Sequence, residues 1–354
     1  MRVLVMAAGW SLVLMAVAFR AGLWGLHPLP RWLPQSLGLL PALAGALLIA
    51  VAWPMSPLAA LGSPLLGGAV TLALGCLVVR DPTRSLGALP LEGHEDGEPV
   101  LLRPCARAWT GRVVVLAHGG GNDRLFGCSY LVETLLSRGH AVLTAHLPGH
   151  GRRGSDLFTV AASRARLDAL VGQAHELDGT SRVVLVGQSL GGSLALDLGA
   201  RGGGVDGIIA LSAPAELRVG PWVVRELRAL VRPCIYRALR YGNLCESLPA
   251  AGRFKRGSFP VRVSNGRPYL EAFSDAVREL DLLERLGRCR SPVCSVLLVH
   301  GLDDAVVPPG QALALAQALG TRCELGLFAR VSHLDLLYDR RVVERVAEWI
   351  EQIV

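Results

Sequence analysis

The chain has 354 residues, 51% of them hydrophobic and 18% charged, and a formal net charge of +7. That length admits a globular domain with a full α/β core and a further apolar segment. Seven of the eight cysteines lie after residue 80 without small-scaffold spacing, which argues against a disulfide framework and suits free thiols in a reducing compartment.

Residues 1–79 hold no Asp, Glu or Lys and only three arginines, Arg2, Arg20 and Arg31. An ordinary soluble surface cannot be built from such a composition, so a region that belongs in lipid is predicted. Three apolar stretches, Val3 to Phe19, Leu37 to Trp53 and Leu58 to Val79, each approach the ~20 residues that cross a hydrocarbon core. Trp10, Trp24, Trp32 and Trp53 include candidates for interfacial anchors. Ala16-Val17-Ala18 has the A-x-A form of a signal-peptide cleavage site, but cutting there would still leave two spans. With three spans, Arg20 and Arg31 share a side with Arg80, Arg84, Arg103 and Arg107. The positive-inside rule then places residues 80–354 in the cytoplasm.

Asp81 to Arg107, with turns at Leu91-Glu92-Gly93 and Asp96-Gly97-Glu98-Pro99, reads as a linker leading to a first hairpin. From Arg112 onward strand and helix patterns alternate, which predicts a mostly parallel sheet covered on both faces. Strands are expected at Val113 to Ala117, Ala141 to Ala145, Val183 to Val186, Gly207 to Leu211, Val296 to Val299 and Glu324 to Phe328. The clearest helices are Gly127 to Ser137, Ser163 to His175, Ser193 to Ala200, Pro309 to Leu319 and Arg340 to Ile353. Ligands of such sheets bind beyond the carboxyl ends of the strands.

Chemistry-bearing residues gather at those ends. The first strand runs into His118-Gly119-Gly120-Gly121-Asn122, where glycines let backbone N–H groups approach an anion, as half an oxyanion hole would. Val183 to Val186 runs into Gly187-Gln188-Ser189-Leu190-Gly191-Gly192. A serine among glycines between a strand and a helix is a nucleophile elbow, a strained corner that thrusts Oγ into a cleft. Val296 to Val299 leads to Gly301-Leu302-Asp303-Asp304, and Val331-Ser332-His333 follows the last strand. Serine is a poor nucleophile without an adjacent base, and that base needs a carboxylate to fix its tautomer. Ser189, His333 and Asp304 can fill these three roles, with Asp303 as the fallback acid. His118 and His300 read as hydrogen-bonding residues at strand ends, and Asp335 as a surface or capping carboxylate. No H-E-x-x-H, Walker A or EF-hand pattern occurs, and Cys289 and Cys294 lack a second pair at zinc-finger spacing. Neither a metal nor a cofactor is expected.

In this order the motifs resemble the α/β-hydrolase superfamily, in particular bacterial serine hydrolases related to monoacylglycerol lipases, esterases and a peptidase group. The resemblance spans roughly Pro90 to Val354. Ala145-His146-Leu147-Pro148-Gly149-His150-Gly151 matches the superfamily's D-x-P-G-H-G turn with His146 in place of aspartate, and Gln188 stands where histidine is commoner. The resemblance implies an α/β-hydrolase fold for residues 80–354. It selects Asp304, the third residue after Gly301 in a G-x-x-D-x-x-V-P pattern, and makes the N–H groups of Leu190 and Gly120 the oxyanion donors. Pro214 to Arg267 departs from the strand–helix alternation where the superfamily inserts a cap, which sets a cap or lid at about 214–267.

That window carries eleven basic residues against three acidic ones. Pro221 to Arg240 interleaves its arginines with apolar residues, as in helices that lie on anionic membranes and equally in a solvated basic face packed on the core. No recognised nucleic-acid module accompanies the charge, so nucleic acid is not an expected partner. The expected protein is a serine hydrolase of a bacterial inner membrane, cleaving lipid or other apolar carboxylic esters through an acyl-enzyme. An aminopeptidase, amidase or thioesterase using the same residues is the alternative enzyme. A non-catalytic membrane scaffold of the same fold is the alternative from another class.

Overall fold

The computed structural model describes residues 2–20, 44–49, 63–64, 66–67, 89–90, 99–104, 108–120, 128–150, 153, 156–216, 269–289, 294–333 and 336–353. The chain divides into two compact units, residues 1–82 with 234–256 and residues 83–233 with 257–354.

In the first unit, helix α1 (Arg2–Arg20) covers the first apolar stretch. Its Gly9 meets Gly45 of the helical residues 44–49 backbone to backbone. A methyl group on Gly9 would fall 2.7 Å from the Gly45 carbonyl oxygen, and one on Gly45 would fall 2.5 Å from that of Gly9. Among the described residues no helix is long and apolar enough to cross a membrane. The expected spans therefore find no support there, and residues 37–53 and 58–79 lie mostly outside the described residues.

The second unit is built on an eight-stranded sheet of order β1-β2-β4-β3-β5-β6-β7-β8. Its strands are β1 (Leu89–Pro90), β2 (Val100–Leu102), β3 (Arg112–Ala117), β4 (Ala141–Thr144), β5 (Arg182–Gln188), β6 (Gly207–Leu211), β7 (Ser295–Gly301) and β8 (Cys323–Phe328). β1, β2 and β4 pair antiparallel, and β4 through β8 form a parallel array about β3. The first hairpin thus lies within the stretch expected to be its linker, with Leu89 opposite Leu101.

The central strands are nearly continuous apolar runs, as burial on both faces requires. Alternation sends Val113, Val115, Val183, Leu185, Ile208 and Val296 into one core. Val114, Leu116, Val184, Val186, Ile209 and Leu297 enter the other. The first core is closed by α3 (Val160–Glu176), α4 (Leu190–Ala200), α5 (Tyr269–Leu280), α6 (Leu282–Arg288) and α7 (Pro309–Leu319). The second is closed by α2 (Ser129–Ser137) and α8 (Arg340–Gln352).

α5 and α6 are additions to the sequence reading. α5 buries Phe273, Ala276, Val277 and Leu280, an i, i+3, i+4, i+7 stripe that marks an amphipathic helix. The expected cap falls almost wholly outside the described residues, as does the basic stretch Pro221 to Arg240.

A buried ion pair fastens α4 to α3. Asp197 has no solvent exposure and accepts from Arg164 Nε at 2.8 Å and Arg164 Nη2 at 2.6 Å. Arg201 Nε adds a third bond at 3.0 Å. Removing one partner of such a pair leaves a buried charge uncompensated, so the network fixes how the two helices meet.

Candidate active site

β3, β5, β7 and β8 run parallel, so the loops after them open at one edge of the sheet. Gly120, Ser189, Asp304 and His333 all lie beyond that edge.

Ser189 occupies the corner between β5 and α4 with φ 53° and ψ −117°. A side chain there costs about 1–3 kcal/mol and persists only where its surroundings impose it. They do so here by hydrogen bonds. The Ser189 N–H donates to the Leu211 carbonyl at 2.8 Å, and the Ser189 carbonyl accepts from the Ser193 N–H at 3.0 Å. The flanking glycines are required by contact. A methyl on Gly187 would lie 2.2 Å from the Gly191 carbonyl oxygen, and one on Gly191 would lie 2.2 Å from that of Ala117. Leu190 is the first residue of α4, whose first-turn N–H groups have no partner within the helix.

His333 and Asp304 meet directly. His333 Nδ1 donates to Asp304 Oδ2 at 2.8 Å, while Asp304 Oδ1 accepts the N–H groups of Val306 at 2.9 Å and Val307 at 2.8 Å. Burial pushes the Asp304 carboxyl up, but His333, His300 and the Val307 N–H outweigh it and hold the group below the usual carboxylate range. Asp303, by contrast, is exposed. Gly301 is needed because the chain leading to His333 crosses it. A methyl there would fall 2.2 Å from the Val331 carbonyl oxygen. Asp304→Asn is accordingly expected to lower kcat by orders of magnitude through loss of the imidazole's orienting acceptor. Asp303→Asn should stay near the parent; the reverse order in steady-state kinetics would reassign the acid.

The two other strand-end histidines are hydrogen-bonding residues, as expected. His300 Nε2 donates to the Val307 carbonyl at 2.8 Å and lies 3.4 Å from Asp304 Oδ2. His118 is fully buried; its Nδ1 donates to the Gly119 carbonyl at 2.8 Å and its Nε2 accepts the Leu147 N–H at 2.9 Å. Its ring lies 5.1 Å from that of His150. Phe273 packs on Gly120, with ring carbons 3.0–3.2 Å from the position a methyl would take. That contact and the His118–Leu147 bond were not read from the sequence, since both depend on which loops the sheet brings together. Asp335 and Asn122 lie outside the described residues. Among the described residues no cluster of His, Cys, Asp or Glu could hold a metal ion, and Cys128, Cys289, Cys294 and Cys323 are not joined in disulfides.

Burial, aided for His118 by neighbouring His150, lowers His118 to about 3; burial likewise lowers His150 to about 4. The unfolded chain, with histidines near 6.5, therefore binds more protons than the folded one between those values. Stability from each residue is fully present above pH ~6.5 and is lost at about 1.4 kcal/mol per pH unit as pH falls toward ~4. Urea midpoints measured from pH 7 to 5 should fall accordingly, and less steeply in His150→Gln; an unchanged slope would contradict the burial argument.

A parallel sheet covered on both faces, with a serine on a strained strand-to-helix corner and a His–Asp pair beyond the same edge, defines the α/β-hydrolase class. The match to the Alpha/beta hydrolase family covers residues 114–348, and the chain belongs to that family. Among solved structures it is similar to the Paleococcus ferrophilus monoacylglycerol lipase, with 20% identity over 73% of this chain and 100% of that one and a TM-score of 0.50. It is also similar to a soluble variant of the monoglyceride lipase of Saccharomyces cerevisiae, solved with a substrate analogue. There the identity is 15% over 76% of this chain and 95% of that one, with a TM-score of 0.52. At these identities the likeness establishes the shared fold.

Proposed function

We propose that the protein is a membrane-anchored serine hydrolase that cleaves carboxylic esters of lipid or other apolar acyl groups. The observation that carries this is the strained Ser189 corner beyond the same sheet edge as the His333–Asp304 pair. With its Nδ1 proton held by Asp304, His333 presents an unprotonated Nε2. That nitrogen takes the proton from Ser189 Oγ as Oγ bonds to the ester carbonyl carbon. The N–H groups of Leu190 and Gly120 receive the negative charge that forms on the carbonyl oxygen. Collapse of the tetrahedral intermediate breaks the bond to the leaving alkoxide, which departs as the alcohol with the proton from His333. Water then attacks the acyl-Ser189 ester with His333 again as base, releasing the acid and restoring the hydroxyl.

The apolar substrate is supported by the names of the two neighbours, both lipases of monoglycerides, and by the uncharged composition of residues 3–19 and 32–79. Incubation with a fluorophosphonate should label Ser189, and kcat/KM for glycerol and p-nitrophenyl esters should rise with acyl chain length. No labelling of folded protein would end the serine-hydrolase reading and favour a scaffold. A preference for amides or thioesters would reassign the leaving group. The cytoplasmic side is tested by fusing reporters after Val354: one active only in the cytoplasm should report, and one active only outside should be silent.

A further inference from the structure

We propose that His118 is a positioning residue that sets the oxyanion hole, by holding the Gly119 carbonyl so that the N–H of Gly120 points the opposite way. The inference rests on the serine-hydrolase reading above. His118-Gly119-Gly120-Gly121 follows β3 directly, and a peptide unit between two glycines has no side chain to resist rotation. Left to itself, the Gly119–Gly120 unit has no preferred direction for its N–H. An oxyanion donor needs one fixed in advance, since preorganisation is the source of its effect.

The fixing group is legible in the hydrogen bonds. Leu147 offers only its backbone N–H, 2.9 Å from His118 Nε2, so that nitrogen must carry a lone pair. In a neutral ring the proton is then on Nδ1, which lies 2.8 Å from the Gly119 oxygen. The Gly119 C=O and the Gly120 N–H belong to one planar trans unit and point in opposite directions. Anchoring the oxygen on the buried side turns the N–H away from it. The exposures agree: His118 and Gly119 are buried, whereas Gly120 is half-exposed. The ring cannot turn freely either, because His150 packs edge-on against it at 5.1 Å and is itself held by Phe158 at 5.3 Å. A main-chain donor in the loop after β4 thus selects a tautomer, and the tautomer aims a main-chain donor in the loop after β3.

Two substitutions separate this role from a merely structural one, because each removes one of the two buried hydrogen bonds. In His118→Asn the side-chain amide nitrogen stands close to where Nδ1 was and keeps the bond to Gly119, while the acceptor for Leu147 is lost. In His118→Gln the amide oxygen reaches the place of Nε2 and keeps the bond from Leu147, while the donor to Gly119 is lost. The expected result is a kcat about 100-fold lower in His118→Gln with KM within about twofold, the signature of an interaction made in the transition state. His118→Asn should stay within about threefold of the parent, at a similar loss of unfolding temperature. Affinity for a trifluoromethyl ketone, whose adduct carries the oxyanion, should fall in step with kcat/KM. Equal kcat losses in the two variants, or a loss confined to KM, would overturn the positioning role while leaving a fluorophosphonate-labelled parent as evidence for the hydrolase. An unlabelled parent would overturn both. If neither variant folds, long-range proton–nitrogen spectra of the parent decide: a protonated Nδ1 on His118 supports the proposal, and a protonated Nε2 overturns it.

Discussion

Ser189→Ala is expected to reduce kcat by roughly a thousandfold or more while unfolding at the parent's temperature. The activity loss follows from chemistry, because without Oγ no acyl-enzyme can form and only binding and the oxyanion donors remain to assist water. The intact stability follows from the corner itself. Its hydrogen bonds run from the Ser189 N–H to Leu211 and from the Ser193 N–H to the Ser189 carbonyl, both main-chain interactions that alanine keeps. His333→Ala should show a loss of the same order, since in the proposed mechanism nucleophile and base act as a unit and the two effects do not add. Steady-state kinetics beside thermal melts of both proteins provide the test. Turnover of Ser189→Ala close to the parent's would remove the residue from the reaction.

Gly191→Ala should be among the most damaging single methyls around the Ser189 corner. The added carbon would lie 2.2 Å from the Ala117 carbonyl oxygen and 2.7 Å from that of His118. Both are main-chain atoms of β3 and its loop, so relief requires α4 to move off the sheet. Overpacking of this kind costs about 3 kcal/mol or more, a large part of a domain's usual 5–15 kcal/mol. Gly172→Ala, at an exposed position of helix α3 with nothing within 4 Å of the new carbon, is the control and should stabilise by about 0.5–1 kcal/mol. Urea midpoints of the two variants should therefore move in opposite directions. A Gly191→Ala protein as stable as the parent would mean that the corner is looser than its contacts indicate.

These effects trace back to what a linear sequence can carry. The strands of the parallel array were legible because burial on both faces demands uninterrupted Val, Ile and Leu, and Val183 to Val186 or Val296 to Val299 admit few other readings. The corner was legible because backbone crowding leaves glycine as the only residue at Gly187 and Gly191, so the constraint is written in composition. Between Asp303 and Asp304 the residues alone gave no choice; the resemblance, through its G-x-x-D-x-x-V-P pattern, implied Asp304, and the structure brings Asp304 to His333. β1 was missed because two residues carry no periodicity. α5 was missed although its buried stripe is regular, because it follows directly on the stretch assigned to a cap. The partners of His118 were illegible for another reason. Leu147 is 29 residues away and acts through its main-chain N–H, which every residue but proline offers. No choice of side chain records that bond.

Ser189 and His333 follow strands of unequal security. β5 is enclosed between β3 and β6 and is buried along nearly its whole length, whereas β8 pairs only with β7 among the described residues and has no fully buried position. A brief detachment of β8 would carry His333 off Asp304 while leaving Ser189 on its corner. Mild denaturant should then give an inactive but still compact protein, with exchange of the β8 amides and the decline in turnover sharing one urea dependence, shallower than that of global unfolding.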